Sequence, residues 1–274
     1  MHGASAYYEH SGRFTITGLV SMLAGAAVAA PVVGYAYGYL VAINPFIYVN
    51  FLATLRAGCG VGIAVGQAAK WGQTRNFAVA GVMGAFAGAA LLYVQWSATL
   101  AYYETEPSLG EPLLMWEQIT MLASLERWTI FGVSPGSWGF AAIWGIEGLM
   151  LMSGATLLSI GLLDEPYCER CRQWTEVDQV VEPFDYVTGV EHLSARLDRG
   201  DVDVLKAFEK IEVSRRRYSQ LELINCSSCH DLRIVNIKNI EIKLDRDEGE
   251  EKRDSVVVSH ILVDASTYEA IKKS

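Results

Sequence analysis

An apolar run followed at once by a cysteine pair is the feature that most constrains this chain. Residues 138–163 form 26 consecutive positions with a single charge, Glu147, and the segment Cys168-Glu-Arg-Cys171 begins five residues later. Because about 20 apolar residues cross a hydrocarbon core of about 30 Å, the run predicts a tilted transmembrane helix. The charged pair Asp164-Glu165 and the helix breaker Pro166 end it. We therefore expect the first cysteine pair close to the membrane surface.

Three more apolar runs precede this one, at residues 14–43, 46–69 and 77–103. The first and third contain no charged residue and the second contains only Arg56, so each predicts a membrane span. Residues 113–131 are apolar but short for a span, and their polar positions recur at helical spacing. This pattern predicts an amphipathic helix that lies in the membrane interface. Its polar positions are Glu117, Thr120, Ser124 and Arg127.

The predicted fold is a membrane α-helical bundle of four transmembrane helices plus the interfacial helix, followed by a small α+β domain. We expect an N-terminal tail at residues 1–13, a transmembrane domain at residues 14–163 and a C-terminal domain at residues 164–274. Up to residue 163 there are five Lys or Arg and seven Asp or Glu, and the rest of the chain has 17 and 24. Because phosphate binding needs a cationic face, the acidic C-terminal part does not favour nucleic acid as a partner.

Positive charges near the ends of the spans predict the orientation. Four crossings place both chain termini on one side, and five cationic residues share that side, whereas the opposite side has Arg127 and an acidic loop at residues 104–112. The positive-inside rule then predicts cytoplasmic N and C termini. The five cations are Arg13, Lys70, Arg75, Arg170 and Arg172.

Two Cys-x-x-Cys turns, which we call the first knuckle (residues 168–171) and the second knuckle (residues 226–229), are separated by 54 residues. Each turn can direct two thiolates to one side, and two facing turns supply the four sulfur ligands that zinc prefers. In a reducing compartment such spacing favours a metal over disulfides. The sequence therefore predicts a zinc site formed by Cys168, Cys171, Cys226 and Cys229.

In these knuckles and their flanking strands the C-terminal domain resembles the zinc-ribbon, rubredoxin-like superfamily. The resemblance implies a structural metal in a small β domain, with no open coordination position for catalysis. Iron would use the same four ligands, but rubredoxins commonly have small residues after each pair, where this chain has Arg172 and His230. Zinc is therefore the favoured metal and iron the alternative.

Two charges are predicted at similar depth in the membrane. Arg56 is about ten residues into the second span and Glu147 about nine residues into the fourth, and both spans run in the same direction. Because a lone charge in lipid is costly, we expect Arg56 and Glu147 to form an ion pair. Small residues also recur every four positions in the spans, which allows close packing within one bundle or between copies of the chain in a homo-oligomer. They are Gly34, Gly38, Gly58, Gly62, Gly66, Gly84 and Gly88.

In the C-terminal domain, hydrophobic spacing predicts four strands, three short helices and one charged loop. The run Arg215-Arg216-Arg217 is either a solvated entry to a strand or a contact for anionic lipids or an acidic partner. The strands are expected at residues 173–181, 218–224, 232–244 and 256–263, where 232–244 is one long strand or a bent pair, and the helices at 188–197, 201–211 and 266–273, the last with Ser266 or Thr267 as its cap. Residues 245–254 form a charge-rich loop that we interpret as a solvated hairpin and not as a binding site.

No nucleophile–base pair, phosphate loop or acid pair accompanies the knuckles, so an enzyme is not the favoured reading. We expect a membrane-anchored protein that presents its zinc-stabilised cytoplasmic domain to a protein partner. One alternative is a transporter or channel, or a subunit of one, with Glu147 and Arg56 in the membrane path. Another is a redox membrane protein with an iron–thiolate site.

Overall fold

The computed structural model describes residues 6–44, 46–103, 110–124, 135–208, 210–211, 216–245 and 249–273. The chain divides into two compact units. A helical unit comprises Ser11–Asp164, and a sheet unit joins the segment that ends at His10 to Glu165–Ser274.

Four helices of the helical unit are long and apolar enough to cross a membrane, as predicted. The shortest has 25 residues, which corresponds to about 37 Å of helix and exceeds a hydrocarbon core of about 30 Å. Their outward faces keep large apolar side chains exposed, a surface that suits lipid and not water. The helices are α1 (Ile16–Ile43), α2 (Ile47–Trp71), α3 (Phe77–Tyr102) and α5 (Gly136–Gly161).

Helix α4 (Pro112–Ser124) is too short to span a membrane. It buries Met115, Ile119 and Ala123, which are four residues apart on one face, and Met115 and Ile119 pack against Trp96 and Leu100 of α3. The polar residues Glu117, Thr120 and Ser124 are exposed, so the amphipathic pattern is confirmed as far as Ser124. The rest of the predicted helix, including Arg127, lies outside the described residues.

Glycines make the close contacts between the long helices. A Cβ atom at Gly62 of α2 would lie 2.6 Å from the carbonyl oxygen of Ala155 in α5, and one at Gly38 of α1 would lie 2.5 Å from that of Gln95 in α3. An added Cβ atom would lie similarly close to α5 at Gly58, Gly66, Gly84 and Gly88, and similarly close to α3 at Gly34. All seven predicted glycines therefore pack against helices of the same chain.

A four-stranded antiparallel sheet, in which each strand pairs with the next one along the chain, forms the centre of the sheet unit. Its core joins Leu221 and Ile237 of the sheet to Leu197, Leu205 and Tyr268 of the surrounding helical segments. A two-stranded hairpin, β1 (Tyr167–Cys168) with β2 (Gln173–Trp174), precedes it. The other elements are β3 (Glu176–Phe184), α6 (Val190–Leu197), a 3-10 turn (Val202–Ala207), β4 (Arg217–Asn225), β5 (Arg233–Asp245), β6 (Gly249–Leu262) and α7 (Ala265–Lys273).

Three expectations for the sheet unit were wrong in part. The segment predicted as a helix at residues 201–211 is a 3-10 turn over Val202–Ala207, and its apolar spacing of three is the period of that helix. The hairpin expected at residues 245–254 is present, but its turn is shorter because β6 already begins at Gly249, and opposite charges face each other across the hairpin, as in Lys243 with Glu251 and Glu241 with Arg253. The cap of α7 is Asp264, whose carboxylate accepts the backbone N–H of Thr267 at 2.6 Å, and not Ser266 or Thr267.

The described part of the predicted N-terminal tail pairs with the sheet. Tyr7 bridges Ile261, the backbone N–H of Tyr8 donates to the carbonyl of His260 at 2.8 Å, and that of Leu262 donates to the carbonyl of Ala6 at 2.9 Å. Strand β6 is at the edge of its sheet, and an edge has free backbone groups that a short extended segment can satisfy. So short a segment leaves no periodic pattern in the sequence.

Candidate metal centre

Short antiparallel hairpins position both knuckles. In the first, β1 ends at Cys168 and the chain returns in β2 after a turn that includes Cys171. In the second, Cys226 follows β4, and a turn leads to β5. The backbone N–H of His230 donates to the carbonyl of Cys226 at 2.9 Å and closes this turn.

The residue that follows each knuckle adopts a left-handed backbone conformation. The φ angle is 55° at Arg172 and 53° at His230. Non-glycine residues pay roughly 1–2 kcal/mol for this conformation. The two knuckles thus share the same turn geometry even though neither has the small residue that rubredoxins commonly carry there.

The four predicted cysteine ligands meet in one cluster. Their sulfur atoms all lie within 4.8 Å of one another, and those of Cys168 and Cys229 are 3.7 Å apart. A tetrahedral metal with bonds of about 2.3 Å to sulfur separates its ligands by about 3.8 Å. All four cysteines are free thiols, so no disulfide competes for them. The donor set and its spacing therefore fit a metal ion with four sulfur ligands.

The surroundings of the four thiols favour the ionisation of one of them to a thiolate but oppose the ionisation of the others. Burial raises the pKa of Cys168, and a hydrogen bond that the Cys171 thiol donates to Cys229, followed by burial, raises the pKa of Cys171 to about 12. At Cys226 burial again opposes ionisation, but the backbone N–H groups of Cys229 and Ser228 donate to its sulfur and lower its pKa to about 7. A cation is needed to hold four thiolates together, which is the role of the metal in such sites.

Polar side chains around the cysteine cluster form hydrogen bonds and an ion pair between the two knuckles. The Gln173 amide donates to the sulfur of Cys226 at 3.4 Å and to the hydroxyl of Ser227 at 2.9 Å, and it accepts from Ser228 at 3.0 Å. Arg170 of the first knuckle forms an ion pair with Asp231, which follows the second. These contacts connect the two knuckles by groups other than the cysteines.

Tyr8 supports the first knuckle from the N-terminal segment. Its hydroxyl accepts the backbone N–H of Tyr167 at 2.9 Å and donates to the carbonyl of Tyr167 at 3.1 Å. Tyr167 directly precedes Cys168 and is 1% exposed. Sequence reasoning missed Tyr8 because nothing local in the first ten residues marks this contact with a residue 159 positions away.

The structure does not form the predicted ion pair between Arg56 and Glu147. Arg56 is exposed on α2, and the carboxylate of Glu147 accepts the hydroxyl of Tyr37 in α1 at 2.5 Å. On α2 the residues that face α1 and α5 are Thr54 and Gly58. Arg56 lies two positions from each of them, about 200° around the helix, and therefore points away. The spacing argument predicts depth along a span but does not define direction around the helix axis, which decides the partner.

The basic run of residues 215–217 is only partly described. Arg215 lies outside the described residues, and Arg216 is exposed. Arg217 forms an ion pair with Glu241 at 2.7 Å, and its guanidinium lies 5.2 Å from the centre of the Tyr186 ring. Arg217 therefore has partners within the sheet unit, as expected for a residue at the entry of a strand.

Comparisons with protein-family models, with curated proteins and with solved structures find no match for this chain. The cysteine cluster agrees with a zinc-ribbon-like site, and the helical unit has four helices of membrane-spanning length.

Proposed function

We propose that this chain is a non-enzymatic multi-pass membrane protein whose sheet unit is a zinc-stabilised module for interaction with, or assembly of, a protein partner. The observation that carries the proposal is the meeting of four cysteine sulfurs from two distant hairpins within 4.8 Å. Four sulfur ligands complete the shell of a tetrahedral metal, so such a site holds a fold and leaves no position for a substrate. Small β domains use such metals because their cores alone contribute little stability.

Zinc is the metal we assign to the cluster. It accepts four thiolates in tetrahedral geometry and has no redox chemistry, which suits a purely structural role. Iron in the same four ligands is the alternative, and it would make the protein a candidate for electron transfer. An iron–thiolate centre absorbs visible light whereas a zinc centre does not, so the spectrum of the purified protein separates the two.

We further propose that both chain termini are in the cytoplasm. Lys70 and Arg75 lie at the junction between α2 and α3, and Arg170 and Arg172 follow the last span closely, so the cationic ends share one side. The cytoplasm is reducing and keeps thiols available for a metal. Reporter fusions at the C terminus and after Gly110, which lies between α3 and α4, should report opposite sides of the membrane.

Metal analysis of the full chain in detergent tests the proposal. We expect about one zinc per chain in the wild type and in Cys59→Ser, which removes a thiol of α2 outside the cluster. Cys229→Ser should lose the zinc and lower the thermal stability of the sheet unit, because metal binding contributes about 10–16 kcal/mol to zinc-finger peptides. Iron, or no metal at all in freshly purified protein, would contradict the assignment.

The docking role needs a second measurement with the same variants. Proteins that cross-link to the wild-type chain in native membranes should also cross-link to Cys59→Ser and be lost from Cys229→Ser. The comparison must be made at equal levels of membrane-inserted chain. An unchanged cross-linking pattern in a zinc-free Cys229→Ser variant would refute the docking role while leaving the structural metal intact.

A transporter or channel is the second candidate, because the helical unit contains a cavity of about 680 Å³ beside Glu147. Arg56 does not line it. Toward the middle of the bundle, α2 and α5 pack at Gly58 and Gly62 with no room for a Cβ atom, so a path would require these helices to separate. Flux through proteoliposomes that falls in Glu147→Gln would support this candidate.

A further inference from the structure

The cavity in the helical unit has the size and lining of a ligand site. It lies at the end of the bundle where α1 and α3 finish and α2 and α5 begin, and all five helices contribute to its wall. Its volume of about 680 Å³ is within the range of roughly 300–1,000 Å³ that is usual for small-molecule sites. The wall is mostly apolar and aromatic, with a few polar groups, which is the usual composition of such sites.

Hydrogen-bond acceptors converge on this cavity. The Tyr37 hydroxyl donates to Oε1 of Glu147 at 2.5 Å, and the hydroxyl of Thr54 lies 2.5 Å from the Tyr37 oxygen. Oε2 of Glu147 has no hydrogen-bond partner among the described residues. The carboxylate is therefore held in place through one oxygen while the other remains available to a ligand.

Gln95 lies on the same wall but keeps its polar atoms buried behind it. Its side chain is 1% exposed, and its Nε2 atom donates to the hydroxyl of Thr99 at 3.3 Å, but its Oε1 atom has no partner. An unsatisfied buried acceptor costs about 1–3 kcal/mol. Because this oxygen is closed off from the cavity, Glu147 is the acceptor that a ligand in the cavity can reach.

The charge of the cavity selects the class of ligand. Among the described residues that line it, Glu147 is an acid and none is Lys, Arg or His. An anion would therefore meet a carboxylate and no cation. A bare divalent metal would find one carboxylate where Ca²⁺ or Mg²⁺ needs six or more oxygen ligands.

Aromatic rings form the apolar part of the wall. The rings of Trp96 and Trp144 contact edge to face, with centroids 4.8 Å apart, and Phe140 lies 5.8 Å from Trp144. Aromatic faces attract organic cations, and the attraction grows when water is excluded. The same rings can pack against the apolar body of a ligand.

We propose that this cavity binds an organic ammonium ion that carries an apolar, ring-sized body. The ammonium group donates to Oε2 of Glu147, and the apolar body packs against Trp96 and Trp144. The remaining donors of a primary ammonium can pair with the hydroxyl oxygens of Tyr37 and Thr54, which lie beside this carboxylate. The chemistry is shared by soluble amines and by the ethanolamine headgroup of a lipid.

Binding of 2-phenylethylammonium to the full chain in phospholipid-free detergent tests the proposal, with 2-phenylethanol as the uncharged analogue. We expect saturable binding of the amine by calorimetry, and binding of the alcohol at least tenfold weaker. Glu147→Gln should weaken amine binding at least tenfold. The matched control is Glu117→Gln, which makes the same change at an exposed position on α4 outside the cavity and should bind like the wild type.

A second variant separates loss of the site from loss of the fold. Ala42 lines the cavity near the end of α1, and Ala42→Trp should fill part of it and abolish amine binding while the thermal unfolding of the chain stays close to that of the wild type. Equal amine affinity in the wild type, Glu147→Gln and Ala42→Trp would overturn the proposal. So would the absence of saturable amine binding up to millimolar concentration in folded wild-type protein.

Nanodiscs distinguish the two sources of the ammonium group. The amine is titrated in discs of phosphatidylglycerol, which has no amine, with and without added phosphatidylethanolamine. A lower apparent affinity in the presence of phosphatidylethanolamine identifies the lipid headgroup as an occupant. An unchanged affinity excludes the lipid headgroup as an occupant and leaves soluble amines as the ligand class. Both results support the ammonium site, and neither depends on the zinc module.

Discussion

The close packing of α2 on α5 at Gly62 gives the most direct quantitative prediction for the helical unit. A Cβ atom added at Gly62 would lie 2.6 Å from the carbonyl oxygen of Ala155, 2.8 Å from its Cα atom and 2.9 Å from the Cβ atom of Leu158. Ordinary contacts of this kind begin at 3.4 Å. Because the nearest two atoms belong to the backbone, no side-chain rotation relieves the overlap, and the helices must separate by about 0.8 Å.

Gly60 offers a matched control on the same helix, since a Cβ atom there meets nothing within 4 Å. Both Gly62→Ala and Gly60→Ala gain the same helix propensity, about 1 kcal/mol, so this contribution cancels in their comparison. Overpacking of a tight interface costs about 1–3 kcal/mol. We therefore expect Gly62→Ala to be about 1–3 kcal/mol less stable than Gly60→Ala, and Gly60→Ala to be at least as stable as the wild type.

Thermal unfolding of the two variants in the same detergent measures this difference. For a domain of this size it corresponds to a midpoint about 2–12 °C lower for Gly62→Ala. The oligomeric state is measured in parallel. Equal midpoints for the two variants would refute the packing of α2 against α5. Loss of an oligomer in Gly62→Ala without loss of monomer stability would show instead that this glycine face joins two copies of the chain.

The sheet unit supports three further predictions, each measured on the full chain. His230→Gly should raise its stability by about 0.5–1 kcal/mol without changing the metal content, because glycine adopts the left-handed conformation without strain; lower stability would show that the turn is not strained. Tyr8→Phe should lower stability by about 1–3 kcal/mol, since the backbone N–H of Tyr167 loses its acceptor; unchanged thermal unfolding would count against the contact. The hydrogen bond from Lys272 lowers the pKa of Asp178, so this carboxylate stabilises the fold at pH above about 4 and less as the pH falls through its lowered pKa. The stability difference between the wild type and Asp178→Asn, measured by thermal unfolding from pH 3 to pH 7, should therefore shrink toward acid, and a constant difference would contradict the assignment.

The membrane spans and the cysteine cluster were predictable because each needs a sequence pattern that few other structures need. Runs such as residues 77–103 are too apolar and too long for a soluble helix. Two Cys-x-x-Cys pairs supply the four sulfur ligands that a tetrahedral metal needs. Predictions that rest on weaker patterns were less accurate. The start of β6 at Gly249 was missed because cross-strand charge pairs extend the hairpin without any apolar pattern.

Contacts between distant segments could not be derived from local pattern. The pairing of residues 6–8 with β6 depends on an edge that exists only after the sheet has formed. Gln173, which bridges to Cys226 and Ser227, stands two positions after Cys171, and this closeness to a ligand was a usable signal. Tyr8 had no comparable signal.

The partner of Glu147 shows how glycine packing sets the chemistry of the helical unit. A Cβ atom at Gly38 would overlap the carbonyl oxygen of Gln95, so this side of α1 must face α3 closely. Tyr37 precedes Gly38 by one residue, about 100° around the helix, and this rotation directs its hydroxyl toward Thr54 of α2 and Glu147 of α5. The neutral hydroxyl of Tyr37 is thus the partner of Glu147, whereas reasoning from charge alone predicted Arg56. Because Arg56 points away, one oxygen of the Glu147 carboxylate has no cation beside it among the described residues, and this oxygen is the one to which we propose that an ammonium ligand binds.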